Sequence, residues 1–543
     1  MSQIALFLGG AVVAHGIARR WGLPATPLLL LAGFVMARAG LLPPDLLQDA
    51  LVLGLTFLLF VVGVELTPRR VRAQRTAALR VGFLQFTTLG LLGTLTSLAL
   101  GFDGLTALYT GLALTASSTL VIIPLLQQRR QLFEPYGRLV TGVLLVQDVL
   151  IILLMPLLIR LPGGWPAVLA SLAGTTALLA LAFLAQRSLA PRLARLHADE
   201  ELLLLGGLAV LFAFVGMAHA LALPVAAGAF LAGVALSPFP VSGLLRGPLT
   251  PVVVFFTAIF FLALGGLLTV PGPRELVHAL VLVLVVLVVT PVVVTAVAER
   301  SGFTARPALE AGLLLSQTSE LSLVVALHAL LLGHISPDSF SVLALATVAT
   351  MVLTPYLTGE ARLNALLRLH PLAGKDMEEG TQSNHIVLLG CGSGGLPLLE
   401  TLLAAGEEVV VIDDDPEIIT RLRQGGVACV HGTASDPQVL RVARVEKAML
   451  VGSTIRRPRD NQILLESAPQ VTVLVRVFDE EDALWVEERG GIPVLYSAAA
   501  ADEFNQWFKA TFAGPGDTGN RPGAAPDTRA QHPEERPRSD PGE

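Results

Sequence analysis

Gln147 and Asp148 stand in the middle of an apolar run, Arg138 to Arg160, that is long enough to cross a bilayer. An ionised carboxylate at that depth costs about 3 kcal/mol or more. Such an acid is kept where it meets water, a cation or a counter-charge. Burial favours the protonated carboxyl, and a bound cation favours the ionised one. One buried acid can then hold a proton or a cation in turn. If its site opens to one side at a time, that competition is antiport. The plainer alternative is a neutral Asp148 hydrogen-bonded to a neighbouring helix, but intramembrane acids are functional by default.

Two other apolar segments carry polar residues at their middles. One runs Leu112 to Pro124 and contains Thr115, Ser117, Ser118 and Thr119. The other runs Leu313 to Val325 and contains Gln317 and Glu320. Small hydroxyl residues can serve a helix that unwinds within the membrane, because their oxygens satisfy freed backbone groups. Two such segments in corresponding halves point to an inverted-repeat transporter whose broken helices cross at the midplane. The alternative is ordinary helix packing through small residues. The oxygens of Thr115, Ser117, Ser118 and Thr119, with Gln147, would complete a shell around an alkali ion at Asp148. Glu320 is either a second ligand or a brace that accepts backbone N–H bonds, and the brace is favoured. Glu65, His15, His219, His278 and His328 read as boundary, interfacial or packed residues.

The elements that must position these groups follow from composition. The chain has 543 residues, 53% of them hydrophobic, and a mean hydropathy of +0.68. Charged residues make up 15%, against roughly 25% in soluble chains, which excludes a soluble globular protein. The net charge of −6 gives no reason to expect nucleic acid as a partner. Cys391 and Cys429 both lie in the polar C-terminal part, so no disulfide framework is expected and a reducing compartment is.

Thirteen spans are expected, at about 3–18, 24–41, 48–66, 80–101, 104–126, 137–160, 166–186, 201–220, 222–237, 251–270, 276–298, 307–332 and 339–360. The first lacks a basic leader and a cleavage signal and reads as a retained span. Arginines cluster after the odd-numbered spans: Arg19 and Arg20, Arg69 to Arg80, Arg129 to Arg138, Arg187 to Arg195, Arg300 and Arg306. The positive-inside rule then puts the N-terminus outside and the C-terminal part in the cytoplasm of a cell whose inner (plasma) membrane holds the chain.

The expected organisation is a transmembrane exchanger domain over 1–360, a linker over 361–384, a nucleotide-binding domain over 385–513 and a disordered tail over 514–543. The fold class is an α-helical polytopic membrane domain with inverted repeats and crossed broken helices, followed by an α/β Rossmann-like domain. The second domain is signalled by a strand at His385–Leu389, then Gly390, Gly392 and Gly395 in G-x-G-x-x-G spacing, a helix, and a second strand closed by Asp413 and Asp414. The first glycine permits the tight turn, the second lets phosphate approach, and the third packs helix on strand. Phosphate would sit on the helix N-terminus, and Asp413 would take ribose hydroxyls. Further strands are expected at 428–431, 448–452, 471–477 and 493–496. No catalytic base or substrate domain adjoins this fold, so it reads as a sensor and the chain as no enzyme. Arg456, Arg457 and Arg459 read as a solvated charge run, and Cys391 as a small loop filler.

These motifs resemble the second monovalent cation–proton antiporter family and, within it, the glutathione-gated potassium efflux (Kef) type. Gly63-Val-Glu-Leu-Thr-Pro-Arg69 is similar to the signature closing the third span. Leu114-Thr-Ala-Ser-Ser-Thr119 and Gln317-Thr-Ser-Glu320 resemble the family's two broken helices, and Gln147-Asp148 the Kef form of its site pair. The C-terminal part resembles the potassium-conductance regulator (TrkA N-terminal) domain. The resemblance implies K⁺/H⁺ exchange, with K⁺ preferred over Na⁺, at Asp148. It also implies a regulatory adenine nucleotide, AMP or NAD(H), control by glutathione, and a homodimer in the lipid bilayer. One place departs from it. Lysine is absent from the first 374 residues. Where Kef relatives carry a lysine that neutralises the site aspartate, this chain has Thr290-Pro291.

The ligand types alone suit Na⁺ as well as K⁺, so a Na⁺/H⁺ antiporter of the same fold stays open. A regulator-gated potassium channel would need a Thr-Val-Gly-Tyr-Gly-type filter loop, and the sequence holds none. A membrane nicotinamide enzyme would need a second dinucleotide domain or a hydride acceptor site, and neither is seen.

Overall fold

The computed structural model of the chain describes residues 2–21, 24–41, 44–65, 75–129, 131–132, 134–189, 192, 200–238, 241–368, 383–392 and 394–512. Thirteen apolar segments precede residue 360 among them. Eleven are single helices: α1 Ser2–Trp21, α2 Ala25–Arg38, α3 Pro44–Glu65, α4 Arg75–Ala99, α7 Pro135–Arg160, α8 Gly164–Ser188, α9 Glu200–Ala220, α10 Val225–Leu236, α11 Val241–Gly266, α12 Pro273–Arg300 and α15 Pro337–Leu357. Two are broken: α5 Gly104–Leu114 with α6 Thr119–Gln128, and α13 Ala305–Leu315 with α14 Glu320–Leu331. Eight stretches, with α7 and α8 taken together as one of them, are long and apolar enough to cross a membrane. The separation of the eighth and ninth segments is a turn at Leu221–Pro224 that puts Ala222 at φ 52°.

The outer faces carry exposed apolar side chains such as Val12, Leu91 and Val292. In water such a surface would drive aggregation; in lipid it is the ordinary outer face of a bundle. Inside, the helices approach through small residues, the means by which spans pack when lipid tails are as apolar as leucine. One close case joins α3 to α10. A Cβ on Gly63 would lie 2.2 Å from the Phe230 carbonyl oxygen and 2.9 Å from Gly233 Cα. Around that seam Phe60, Phe230, Phe260 and Phe261 are buried in one continuous apolar core. A second core sits nearer the C-terminal domain, where Tyr136, Leu139 and Val143 of α7 meet Val294 of α12 and Leu314 of α13.

The C-terminal domain is a six-stranded parallel sheet in the order β3-β2-β1-β4-β5-β6. Its strands are β1 Ile386–Leu389, β2 Val409–Asp413, β3 Ala428–His431, β4 Leu450–Ser453, β5 Thr472–Val477 and β6 Ile492–Leu495. The first two are buried along their whole length, as expected for a sheet covered on both faces. The chain is thus a helical membrane protein followed by a Rossmann-like domain. The start of the expected linker is helical, at α16 Glu360–Arg368. The rest of that linker up to residue 382, the Leu66–Arg69 part of the third-span signature with Arg70 and Arg72, and the expected tail lie outside the described residues.

Replacing Gly63 with valine is expected to lower the unfolding midpoint of the detergent-solubilised chain, at a cost of about 1–3 kcal/mol for forcing atoms into a closed seam. Substitution of Gly9, which has nothing within 4 Å of an added Cβ, should leave the midpoint unchanged and serves as the comparison.

Candidate functional site

Each broken helix repairs the other. α5 ends at Leu114 and α13 at Leu315, which frees the last carbonyls of both half-helices. The Ser117 hydroxyl donates to the Leu315 carbonyl at 2.7 Å. In the reciprocal contact the Ser322 hydroxyl, in the first turn of α14, donates to the Ala113 carbonyl. The opposing half-helices begin with capped ends. Ser118 caps α6 by accepting the Val121 N–H, and Ser319 with Ser322 forms a capping box on α14. Between these two N-termini lies Glu320. It accepts from the Ser118 hydroxyl and, at 3.1 Å, from the Ser319 hydroxyl. A carboxylate there meets the positive ends of two helix dipoles.

The first crossing is held from outside by glutamines. Gln147 on α7 accepts the Ser117 backbone N–H at 3.0 Å and donates to Gln85 on α4 at 2.7 Å. Gln85 in turn donates to the Thr115 carbonyl at 3.2 Å. The second crossing is held by threonines of α15: Thr350 accepts the Thr318 N–H at 3.1 Å, and Thr354 donates to the Ser316 carbonyl at 3.4 Å.

Asp148 follows Gln147 on α7 and is 3% exposed. Its Oδ1 has no hydrogen-bond partner. The two acids therefore differ in kind: Glu320 is tied to hydroxyls of both broken helices, and Asp148 is left bare. Gln317 in the second crossing also keeps an unpartnered carbonyl oxygen, while its amide donates to Leu314 at 3.4 Å. The structure brings Thr115, Ser117, Ser118, Gln147, Gln317 and Glu320 together at the crossing. Thr119 stands apart, half-buried in the first turn of α6. The hydroxyl of Thr115 is spent on its own helix, donating to Leu112. Glu320 accepts from the hydroxyls of Ser118 and Ser319, whereas the brace expected from the sequence used backbone N–H groups. At the place of the missing lysine, Thr290 is fully buried on α12 with its hydroxyl unpartnered.

In the C-terminal domain, Gly390 turns the chain out of β1 at φ 82°. A Cβ on Gly395 would strike the Gly390 carbonyl at 2.0 Å, so helix α17, Leu396–Ala404, packs closely behind the loop. Asp413 faces inward: its oxygens accept the N–H of Cys391 at 2.6 Å and of Asp415 at 2.8 Å. Burial, with Asp414 beside it, pushes its carboxyl up to about 7 against those two bonds. Burial also pushes the Cys391 thiol up to about 11, so little thiolate forms and a filler role fits.

A cleft of about 510 Å³ opens over Gly390 and Gly392 and between Asp414 and Arg476, a size that suits a small-molecule ligand. Its far wall is not part of the Rossmann domain. It is Glu134, Pro135 and Arg138, the start of α7. Arg138 pairs with Asp415 at 2.9 Å. Arg457, expected to be solvated, is instead 7% exposed. It binds Asp414 at 2.6 Å, Glu134 at 3.3 Å and Asp460 at 3.4 Å. Three carboxylates and a Tyr136 ring 5.5 Å away satisfy a charge that burial would otherwise penalise.

Sequence reasoning passed over Gln85, Thr350, Thr354 and Arg476. A single polar residue within an apolar span is the signal that would have found the first three.

Residues 4–359 match the family described as sodium/hydrogen exchanger, transmembrane. Residues 386–497 match the TrkA-N domain. Among curated proteins, the glutathione-regulated potassium-efflux system protein KefC of Cronobacter sakazakii is 28% identical over 513 residues, spanning 90% of this chain and 81% of that protein. The sodium proton antiporter MjNhaP1 from Methanocaldococcus jannaschii is similar over 69% of this chain and 99% of its own, at 17% identity and a TM-score of 0.46. The TrkA-N domain of the inner membrane protein ybaL from Escherichia coli is similar over 24% of this chain and 98% of its own, at 25% identity and a TM-score of 0.23.

Ser118→Ala removes a helix cap and leaves a buried carboxylate oxygen of Glu320 without its donor. It should destabilise the detergent-solubilised chain by about 1–3 kcal/mol, with Thr119→Ala near neutral, measured by thermal unfolding. Asp413 supplies a pH test. Its carboxyl is raised in the folded chain, so its contribution to stability is present at low pH and lost as pH rises from 3.8 to about 7. The Asp413→Asn variant should therefore lose less of its unfolding midpoint across that window than the parent.

Proposed function

The chain belongs to the sodium/hydrogen exchanger family, and from that premise we propose that it is a Kef-type antiporter that exchanges K⁺ for H⁺ at Asp148. The observation that carries this reading is a buried carboxylate with an unpartnered oxygen beside two crossed broken helices. A proton or a monovalent cation can satisfy that oxygen, and the two compete for it. With no lysine nearby in sequence, charge balance falls to the cargo itself. One proton is exchanged for one cation, and the empty, ionised carboxylate is the state to be avoided in crossing. Gln317, which keeps a free carbonyl oxygen, would be the additional ligand among the expected residues. Gln147 and Glu320 hold the crossing in shape. Ser117, Ser118 and Thr115 offer lone pairs only, since their protons are engaged. Potassium, rather than sodium, is favoured by the name of the curated relative.

The C-terminal domain reads as a sensor for an adenine nucleotide, AMP or NAD(H). A phosphate would lie on the glycine-rich loop and the ribose against Asp414. Because Glu134 and Arg138 complete the cleft, a bound nucleotide would bear on the first turn of the helix that carries Asp148. The arginine-bearing loops around Arg138 and Arg306 share a side with this domain, which supports a cytoplasmic placement. A homodimer and alternating access complete the proposal.

The test is cation-driven proton movement in everted vesicles, comparing K⁺, Na⁺ and Li⁺. We expect K⁺ to dissipate an imposed pH gradient in the parent, and the Asp148→Asn variant to lose at least about tenfold in rate, equivalent to about 1.4 kcal/mol or more. Exchange that persists in the variant would sink Asp148 as the shared site. A larger response to Na⁺ would reassign the cargo.

A further inference from the structure

Thr290 carries a buried polar atom that the exchange drawn above does not use. The residue is 0% exposed and its hydroxyl has no hydrogen-bond partner. A threonine within a helix can donate to the carbonyl four residues back. Thr94, Thr110 and Thr141 do so, to Gly90, Thr106 and Gly137, each at 2.8 Å. Thr290 makes no such bond. Thr175 and Thr257 share the lack, on α8 and α11, but both are more exposed. The next residue adds to the omission. Pro291 has no N–H, so the Leu287 carbonyl loses its helical donor. One turn in the middle of α12 thus holds two oxygens with lone pairs to offer.

That turn stands at the depth of the second crossing. α12 and α13 are consecutive helices joined by a short turn at 301–304. Thr290 lies ten residues before Arg300, the end of α12, and Leu315 lies ten residues after Ala305, the start of α13. Both positions are about 15 Å from the turn. The helices also touch there: a Cβ on Gly312 would lie 2.9 Å from the Pro291 Cα and 3.1 Å from the Thr295 hydroxyl. From that end of α13 the chain passes directly to Gln317, whose carbonyl oxygen is unpartnered too. α7, which carries Asp148 and its bare oxygen, packs against both halves of the same broken helix.

Three buried oxygens are thus left open around the second crossing: Asp148 Oδ1 on α7, Gln317 Oε1 in the break and Thr290 Oγ1 on α12. Each is costly without a partner. One is a carboxylate oxygen and two are neutral, a set that a dehydrated monovalent cation satisfies at once. We propose, resting on Asp148 as the carrier acid, that Thr290 is a cation-binding residue of the exchange site. Its hydroxyl oxygen and the Leu287 carbonyl replace part of the cation's hydration shell, and Asp148 supplies the charge. α12 then contacts the cargo itself, which a fixed positive charge at the same place would repel.

The probes are KCl and NaCl, each titrated into the full chain in detergent against choline chloride at constant ionic strength, with the thermal unfolding midpoint as the readout. A cation that binds the folded chain raises that midpoint. The parent is expected to respond to at least one of the two salts, and Asp148→Asn to neither. In Thr290→Val the concentration giving half the shift should rise about tenfold, while Thr290→Ser, which keeps the hydroxyl, stays within about twofold of the parent. In everted vesicles the valine substitution should raise the KM for the cation and leave the maximal rate parent-like. Removing an unpartnered buried hydroxyl lowers no cation-free midpoint, so Thr290→Val is expected to fold; Thr290→Ala takes its place if it does not. If Thr290→Val keeps the parent's half-shift concentration while Asp148→Asn does not respond, Thr290 binds no cation and only its assignment is overturned. If neither salt moves the parent's midpoint, Asp148 falls as the carrier acid and Thr290 falls with it.

Discussion

Everything in the membrane half depends on one exchange of hydrogen bonds. Ser117 completes the end of α13, Ser322 completes the end of α5, and Glu320 lies between the capped starts of α6 and α14. Two spans can be interrupted within a bilayer only if the backbone groups they free are satisfied by protein. Here each interruption supplies the donors that the other needs, so neither is stable alone. The glutamines of α4 and α7 and the threonines of α15 finish the accounting.

That accounting explains the difference between the two buried acids. Glu320 has its hydroxyl donors and two helix ends to face, so its oxygens are held in a fixed place. Asp148 has an oxygen with nothing to accept from. In a region where most polar groups are paired, such an omission is costly, and the cost is what a mobile ligand would remove. In its first position the family's lysine would supply a permanent counter-charge; Thr290 supplies only a hydroxyl. Under the proposed exchange, a site without a resident positive charge would be neutralised by what it carries.

The candidate site was largely legible because polar residues within apolar runs are conspicuous. Gln147-Asp148, the hydroxyl run 115–119 and Gln317 with Glu320 all announced themselves, and their expected crossing is the geometry observed. The six strands and the glycine loop were equally open to reading, since alternating apolar runs and turns suffice to place them. What could not be read was partnership. Nothing local says that Gln147 will be consumed by Ser117 and Gln85, and so be a brace rather than a free ligand. Arg457 looked solvated because its neighbours in sequence are charged. It is buried because Glu134, 323 residues away, is folded onto it. Burial of a charge is a tertiary property, decided by which carboxylates arrive.

The same long-range contact bears on how the two halves communicate. α7 is a single helix of 26 residues, and Pro135 at its start lines the glycine-loop cleft. Asp148 lies thirteen residues further on, a rise of about 20 Å. No proline or glycine kink falls between Gly142 and Asp148, and Pro156 comes after the acid. A ligand that displaced Arg138 from Asp415, or Glu134 from Arg457, would act on the end of a rigid rod. The displacement need not be large, because Gln147 on that rod holds the Ser117 N–H of the first crossing directly. A tilt that stretched this bond would loosen one interruption, and through Ser117 and Leu315 its partner as well. Under the proposed function, the glycine-loop cleft and Asp148 would be coupled by shared covalent structure, with a hydrogen bond at the far end as the part that can give.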